Sequence, residues 1–329
     1  MIKLSNIIYK DQLFNEEIKK KYINRYKNEA TQKVLLRIFK VSCLMEIELN
    51  KDLYAFSREE LRKLLYRFMP KTPHVSRSNV AYVHRYIEWA IENGLRKGLN
   101  PLDSVDTAWK EQFFVTNEKR FWTDKEIDKM LNPNKLVNAQ DRVIIALLFE
   151  GVRGNECAEI TNLRRQDVDF EKKILTLKDS DESIRTLEVS DKCIATIQKA
   201  LEEEDYIKKN GNPSADIRAE KAELIDNDYV VRSAHTRTIN FENADKNIVY
   251  RRLEIVANEF NKNELTPTDI FYSGMLAYAK DLYLKYGVLG GREYEMIKDR
   301  FKLSSAIIQR LKSDFLNEDY VKELYNLES

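Results

Sequence analysis

An arginine at a hinge between two helical segments is the first residue in this 329-residue chain that could act on a phosphate. In LLFEGVRGNECAEITNLRRQDVDF, residues 147–170, an apolar run meets Gly151, and Arg153 follows before a second amphipathic segment. A guanidinium carries five N–H donors in a fixed fork and a permanent charge. Such a group can hold a phosphate, help to cleave one, or form an ordinary salt bridge. Two more cations, Lys178 and Arg185, fall in the alternating stretch KKILTLKDSDESIRTLEVSD, where Lys178 has solvation at a polar turn as its plainer reading. Nearer the start, Tyr82 and Arg85 share one face of a helical period with Arg77 close by, and Arg58 and Arg62 lie one turn apart. Each of these could meet phosphates, and each could equally be a solvated face; Glu59 and Glu60 beside Arg58 and Arg62 favour solvation.

The elements that must position these groups are mostly helical. SREELRKLLYRFM opens on Ser57 with Glu60, a capping box, and carries Leu61, Leu64, Leu65 and Phe68 along one stripe. SRSNVAYVHRYIEWAIENG repeats the period with Val80, Val83, Ile87 and Ile91, and Gly94 ends it. After FWTDKEIDKML, capped by Thr123 and Glu126, and the apolar DRVIIALLFEG, the period changes to alternation. Ile174 to Leu177 and Ile184 to Val189 read as a hairpin. DYVVRS is expected as a third strand, and the polar insertion 205–227 as a loop with some helix. Helices then run to the end. The expected class is mainly α with a small β-sheet, in two domains, 1–116 and 117–329.

Bulk composition excludes several function classes. The longest apolar run, Val143 to Phe149, is too short for a bilayer span. The opening MIKLSNIIYKDQLF lacks a secretory apolar segment, so a cytoplasmic protein is expected. Cys43, Cys157 and Cys193 are odd in number and without metal spacing, and only His74, His84 and His235 are present. Neither a cofactor nor a metal is therefore expected. Residues 1–116 hold 21 Lys and Arg against 14 Asp and Glu, a surplus of +7; the remainder holds 34 against 40, or −6. A basic front half suits a polyanion.

This order of elements resembles the tyrosine recombinases, the phage integrase family, over nearly the whole chain. The helical front, ending in Trp89, Asn93-Gly94 and Asn100-Pro101, is similar to their SAM-like core-binding domain. FWTDKEIDKML resembles the entry helix of their catalytic domain. The resemblance implies six groups around one phosphodiester: two arginines, a lysine, two histidines (one replaceable by tryptophan) and a nucleophilic tyrosine. Arg153 matches the first arginine, and Lys178 lies close to the lysine, with Arg185 a weaker substitute. In LTPTDIFYSG, Thr266 is expected as a helix cap with Pro267 in the first turn, so Thr268 falls at the histidine and Phe271 at the second arginine. RFKLSS places Leu303 where histidine or tryptophan belongs, and the tyrosine position falls on Lys312, or on Leu311 one residue away.

At most two of the six groups remain. A fold that keeps its DNA clamp without its cutting groups is expected to bind rather than cleave. The expected function is therefore a sequence-specific double-stranded DNA-binding protein, similar to the integrase-fold master repressors of SPβ-like prophages. An active recombinase using a displaced tyrosine, such as Tyr320 or Tyr325, is the alternative. The C-terminal helix EDYVKELYNL is expected to support self-association, as in accessory assemblies. Besides operator DNA, a regulatory protein or peptide is a partner that the sequence leaves unidentified, and no membrane is expected.

Overall fold

Three hydrophobic clusters among the described residues organise the chain, one in its front part and two behind it. The computed structural model describes residues 12–114, 119–212, 219–235, 242–262 and 265–327. It divides into two units, one running to Glu118 and the other starting at Lys119. The boundary expected at 116 lies outside the described residues. No helix among the described residues is long and apolar enough to cross a membrane.

In the first unit, α1 (Glu16–Ile23), α2 (Glu29–Leu49), α3 (Arg58–Arg67), α4 (Pro73–Glu92) and α5 (Thr107–Glu111) surround an aromatic core. The expected Ser57–Glu60 box starts α3: Glu60 accepts from the Ser57 N–H at 2.7 Å, and Ser57 Oγ accepts from the Glu60 N–H at 3.3 Å. Thr72 caps α4, with Pro73 in its first turn. That helix buries Val80, Val83, Tyr86, Ile87 and Trp89. Tyr22, Phe39, Tyr86 and Trp89 pack ring on ring around Lys19, a lysine wholly removed from solvent. Its ammonium pairs with Glu46 and with Asp52 at 3.0 Å, while Tyr86 Oη donates to Asp52 at 2.9 Å. A buried charge is tolerated because it is paired in this way.

In the second unit, α6 (Asp124–Met130) leads to α7 (Ala139–Glu150), the most buried helix, and then to the short α8 (Ala158–Thr161). A three-stranded antiparallel sheet follows: β1 (Val168–Asp169), β2 (Ile174–Lys178) and β3 (Ile184–Glu188). Leu175 faces Leu187, and Leu177 faces Arg185 across the central pair. The expected hairpin is present within one residue at its ends. The third strand is Val168–Asp169, not DYVVRS, whose Val230 and Val231 are buried. The backbone of that stretch makes one isolated bridge, Tyr229 to Arg164, and a second, Leu224 to Ala234, lies just outside it.

After α9 (Asp191–Glu202), the insertion expected as loop and helix contributes a second antiparallel pair, β4 (Asp205–Ile207) with β5 (Lys221–Glu223). Helices α10 (Asn247–Glu259), α11 (Pro267–Tyr286), α12 (Gly291–Arg300), α13 (Ser305–Asp314) and α14 (Glu318–Tyr325) complete the unit. Thr266 caps α11 as expected, with Oγ1 accepting from the Asp269 N–H at 3.1 Å. Helix α11 crosses α7 at Gly274, where an added Cβ would lie 1.7 Å from the Phe149 carbonyl oxygen. Only glycine allows that approach. Helix α14, expected as a surface for a neighbour, lays Val321, Leu324 and Tyr325 onto its own chain's core.

At the start of α7 lies a closed polar network. The Asp141 carboxylate accepts from Tyr206 Oη at 3.0 Å and Asn138 Nδ2 at 3.2 Å, with Arg252 Nε 3.6 Å away. Arg252 also donates to Gln140 Oε1 at 2.9 Å, and Gln140 donates to the carbonyls of Ala200 and Val230. Burial pushes the Asp141 carboxyl up to about 6, against the opposing pull of Arg252, Tyr206 and Asn138.

Candidate phosphate-binding site

Helix α7 ends because Gly151 adopts φ 102°, a left-handed cap that a side chain would strain. Two residues later, the Arg153 backbone N–H donates to Glu159 Oε2 at 3.0 Å, and the Asn155 N–H donates to Asp179 Oδ1 at 2.8 Å. These carboxylates fix the turn's backbone and leave the Arg153 side chain to the cavity. Its guanidinium lies 4.9 Å from the centre of the Phe271 ring, and its Nη1 is 3.5 Å from Thr268 Oγ1. No carboxylate among the described residues comes within 4.0 Å of it. The Phe271 ring thus orients Arg153 through a cation–π contact without neutralising it.

The cavity before Arg153 measures about 290 Å³ and is lined also by Asp179, Arg185, Leu303, Ile307 and Arg310. Arg185, the weaker substitute for the lysine, is tied into the fold by several partners. It makes two 2.7 Å bonds to Glu159 and donates to the carbonyls of Gly151 and Arg300. Lys302 donates to Ser183 Oγ at 2.6 Å and lies 3.5 Å from Asp179. Burial alone would raise the Asp179 carboxyl. Backbone donors from Asn155 and Ser180, with Lys302 beside them, outweigh it and hold the carboxyl below the usual range. The two cavity carboxylates are therefore already matched, and Arg153 and Arg310 have no carboxylate partner among the described residues.

The positions expected for the catalytic groups hold mostly apolar side chains. Phe271 is buried, Leu303 lines the cavity, and Leu311 is buried in the core. Lys312 folds its ammonium over the Tyr294 ring, 4.0 Å from the centroid. Tyr320 packs against Phe121 and Phe315, and Tyr325 is half-buried beneath Lys280; neither lines the cavity. The tyrosine that does is Tyr272, its ring held near Phe121, Phe271 and Phe315. Cys157 offers no substitute nucleophile, since burial pushes its thiol up to about 11 despite nearby Arg153.

The other sequence-predicted contacts differ in how free they are. Lys178, at the end of β2, is half exposed and paired with Glu182. In the first unit, Arg85 is exposed and has no ion-pair partner among the described residues. Arg77 is paired with Glu111, and Arg62 with Glu59 at 3.0 Å. Arg58 ties the loop after α4, donating to the Pro101 carbonyl at 3.0 Å and Ser104 Oγ at 2.6 Å. Tyr82 packs partly into the core. His84, Glu88 and Asp103 approach closely enough to hold an ion. Both ring nitrogens of His84 already meet the two carboxylates, at 3.2 and 2.9 Å. Sequence reasoning missed Lys302 and Arg310. The spacing of Ile307 and Arg310 on a capped helix was the available signal, because it places both on one face, just after Leu303.

Two family models match this chain. Residues 13–92 match the one described as MrpR, N-terminal core-binding domain, and residues 121–326 match MrpR, C-terminal catalytic domain. The SPbeta prophage-derived uncharacterized protein YopR of Bacillus subtilis (strain 168) is 31% identical over 322 residues, covering 95% of this chain and 97% of that protein. Among solved structures, the integrase of the Tn1549 transposon in complex with transposon right end DNA is similar with a TM-score of 0.55 and 14% identity. That match covers 95% of this chain and 99% of the other. A lambda integrase dimer bound to a COC' core site gives a TM-score of 0.51 and 11% identity, covering 91% and 95%. At these identities the two integrases establish the fold: helical core-binding and integrase catalytic-type domains.

Proposed function

The chain belongs to the MrpR family, and from that membership we propose that it is a sequence-specific double-stranded DNA-binding protein, a prophage transcriptional repressor on a tyrosine-recombinase fold that has stopped cutting. One observation carries the reading. Arg153 presents an uncompensated guanidinium to the cavity, while the positions for the second arginine, the later histidine and the nucleophile hold Phe271, Leu303 and Leu311 or Lys312. Phosphoryl transfer needs a nucleophile and placed charge together; holding a phosphate needs only the charge. The similar integrases are described as bound to DNA, and the YopR relative as prophage-derived, which supports the DNA partner and the prophage setting of the proposal.

Arg153, Lys178 and Arg85 are then the leading contacts, with Arg58, Arg62, Arg77 and Tyr82 shaping the surface around them. Phosphate contacts of this kind bind all sequences alike, so site choice would come from other groups. Binding of genomic fragments at moderate salt, read by gel shift, tests the proposal: preference for promoter fragments supports it, and equal retention of every fragment would overturn it.

A second reading keeps the chemistry, with Tyr272 as nucleophile because it lines the cavity. A nicked suicide duplex carrying the preferred site separates the two. A covalent protein–DNA adduct abolished by Tyr272→Phe would establish a recombinase, whereas free protein after denaturation supports the binder.

A further inference from the structure

We propose that Arg310, carried by α13, supplies the second phosphate-binding arginine that Phe271 no longer provides. The inference rests on the DNA-binding reading and adds a residue to it. Position 271 on α11 faces the cavity with a phenyl ring, and that ring stacks on Arg153. Arg310 reaches the same cavity from a different helix. Ile307 and Arg310 line it together with Leu303, just before the cap, so one face of α13 is turned towards Arg153. Arg310 is half-buried, and no carboxylate among the described residues lies within 4.0 Å of it.

Charge makes the case. The cavity's carboxylates are Glu159 and Asp179, and each is already engaged, by Arg185 and by Lys302. Two guanidinium groups with no carboxylate partner among the described residues therefore line a space of about 290 Å³. Like charges facing one low-dielectric space repel, and an anion entering between them is attracted by both. Arginine is suited to this because its planar fork can grip two phosphate oxygens at once. The occupant is a backbone phosphodiester of duplex DNA. Its non-bridging oxygens match the forks, and a diester, unlike a free phosphate, is presented at a fixed place by the rest of the duplex.

Fluorescence anisotropy with a labelled mixed-sequence duplex, measured across a salt series, tests this. The full-length wild type is compared with Arg153→Ala, Arg310→Gln and Arg310→Lys. Glutamine keeps the side-chain stem, and thermal melting by circular dichroism checks that each variant folds. Arg310→Gln should weaken binding about ten-fold or more and lower the slope of log affinity against log salt by about 0.9, the loss of one phosphate contact. Arg310→Lys should keep the slope while losing part of the affinity, since it retains the charge without the fork. If Arg153→Ala weakens binding but Arg310→Gln matches the wild type in affinity and slope, the inference fails and the DNA reading stands. If the wild type binds no duplex at any salt, the DNA reading itself fails and takes the inference with it.

Discussion

The two ends of α7 carry charge in opposite ways. At its start Asp141 is completely buried, and Tyr206, Asn138 and Arg252 close around it. Just past its end, Arg153 is positioned with equal care by Gly151, Glu159 and Phe271, yet its charge is left unmatched. Both placements suit the helix dipole, with the acid near the N-terminus and the base near the C-terminus. The difference lies in satisfaction. A charge closed by its own neighbours is matched inside the fold, and a charge held open is available to a ligand.

Four measurements would sharpen or break that contrast. Arg252→Ala should cost the most, about 3–5 kcal/mol in chemical denaturation, because it strands a buried carboxylate. A loss below about 1 kcal/mol would show the network to be less closed than its geometry. Asp141→Asn is read through pH. The folded protein binds a proton at Asp141 up to about pH 6, whereas the unfolded chain releases it near the ordinary 3.8. Wild-type stability from this group is therefore full below pH 3.8 and falls by up to about 3 kcal/mol as pH rises through 6. The amide of the variant does not titrate, so that decline should flatten; an unchanged slope would assign it to other groups.

Glu159→Gln comes next, with an expected loss of about 1–3 kcal/mol, since Arg185 keeps its carbonyl partners but loses its ion pair. Arg153→Ala should have the smallest effect on stability, under about 1 kcal/mol, while weakening DNA binding roughly equally across sequences. A stability loss as large as that of Arg252→Ala would erase the distinction between the two ends.

Much of the open end was legible in the sequence, and little of the closed one. Gly151, the apolar run before it and the Thr266-Pro267 cap are local signals, so the Arg153 turn and the start of α11 could be placed from spacing alone. Asp141, Arg252 and Lys19 look like ordinary solvated charges on amphipathic helices. Their partners lie tens of residues away, and no spacing rule reports such meetings. The pairing of Arg185 with Glu159 is hidden from the sequence for the same reason, because the two meet only in three dimensions. The β4–β5 pair escaped notice because its short strands are separated by a polar stretch with no alternation to find. Placing Arg310 at the cavity needed two facts at once: the face of α13 and the phenyl ring at position 271.

The contact at Gly274 has a further consequence. With the Phe149 carbonyl where a Cβ would stand, α7 and α11 are pinned at a fixed separation by atoms that face no ligand. Residues 268 and 271 on one helix, and Arg153 beyond the end of the other, inherit that spacing whatever their side chains are. The pin therefore fixes the spacing of these positions independently of the side chains they carry. Side-chain changes at 268 and 271 alter the lining of the site and leave the gap between the two helices alone, so under the DNA-binding proposal the frame outlasts the chemistry.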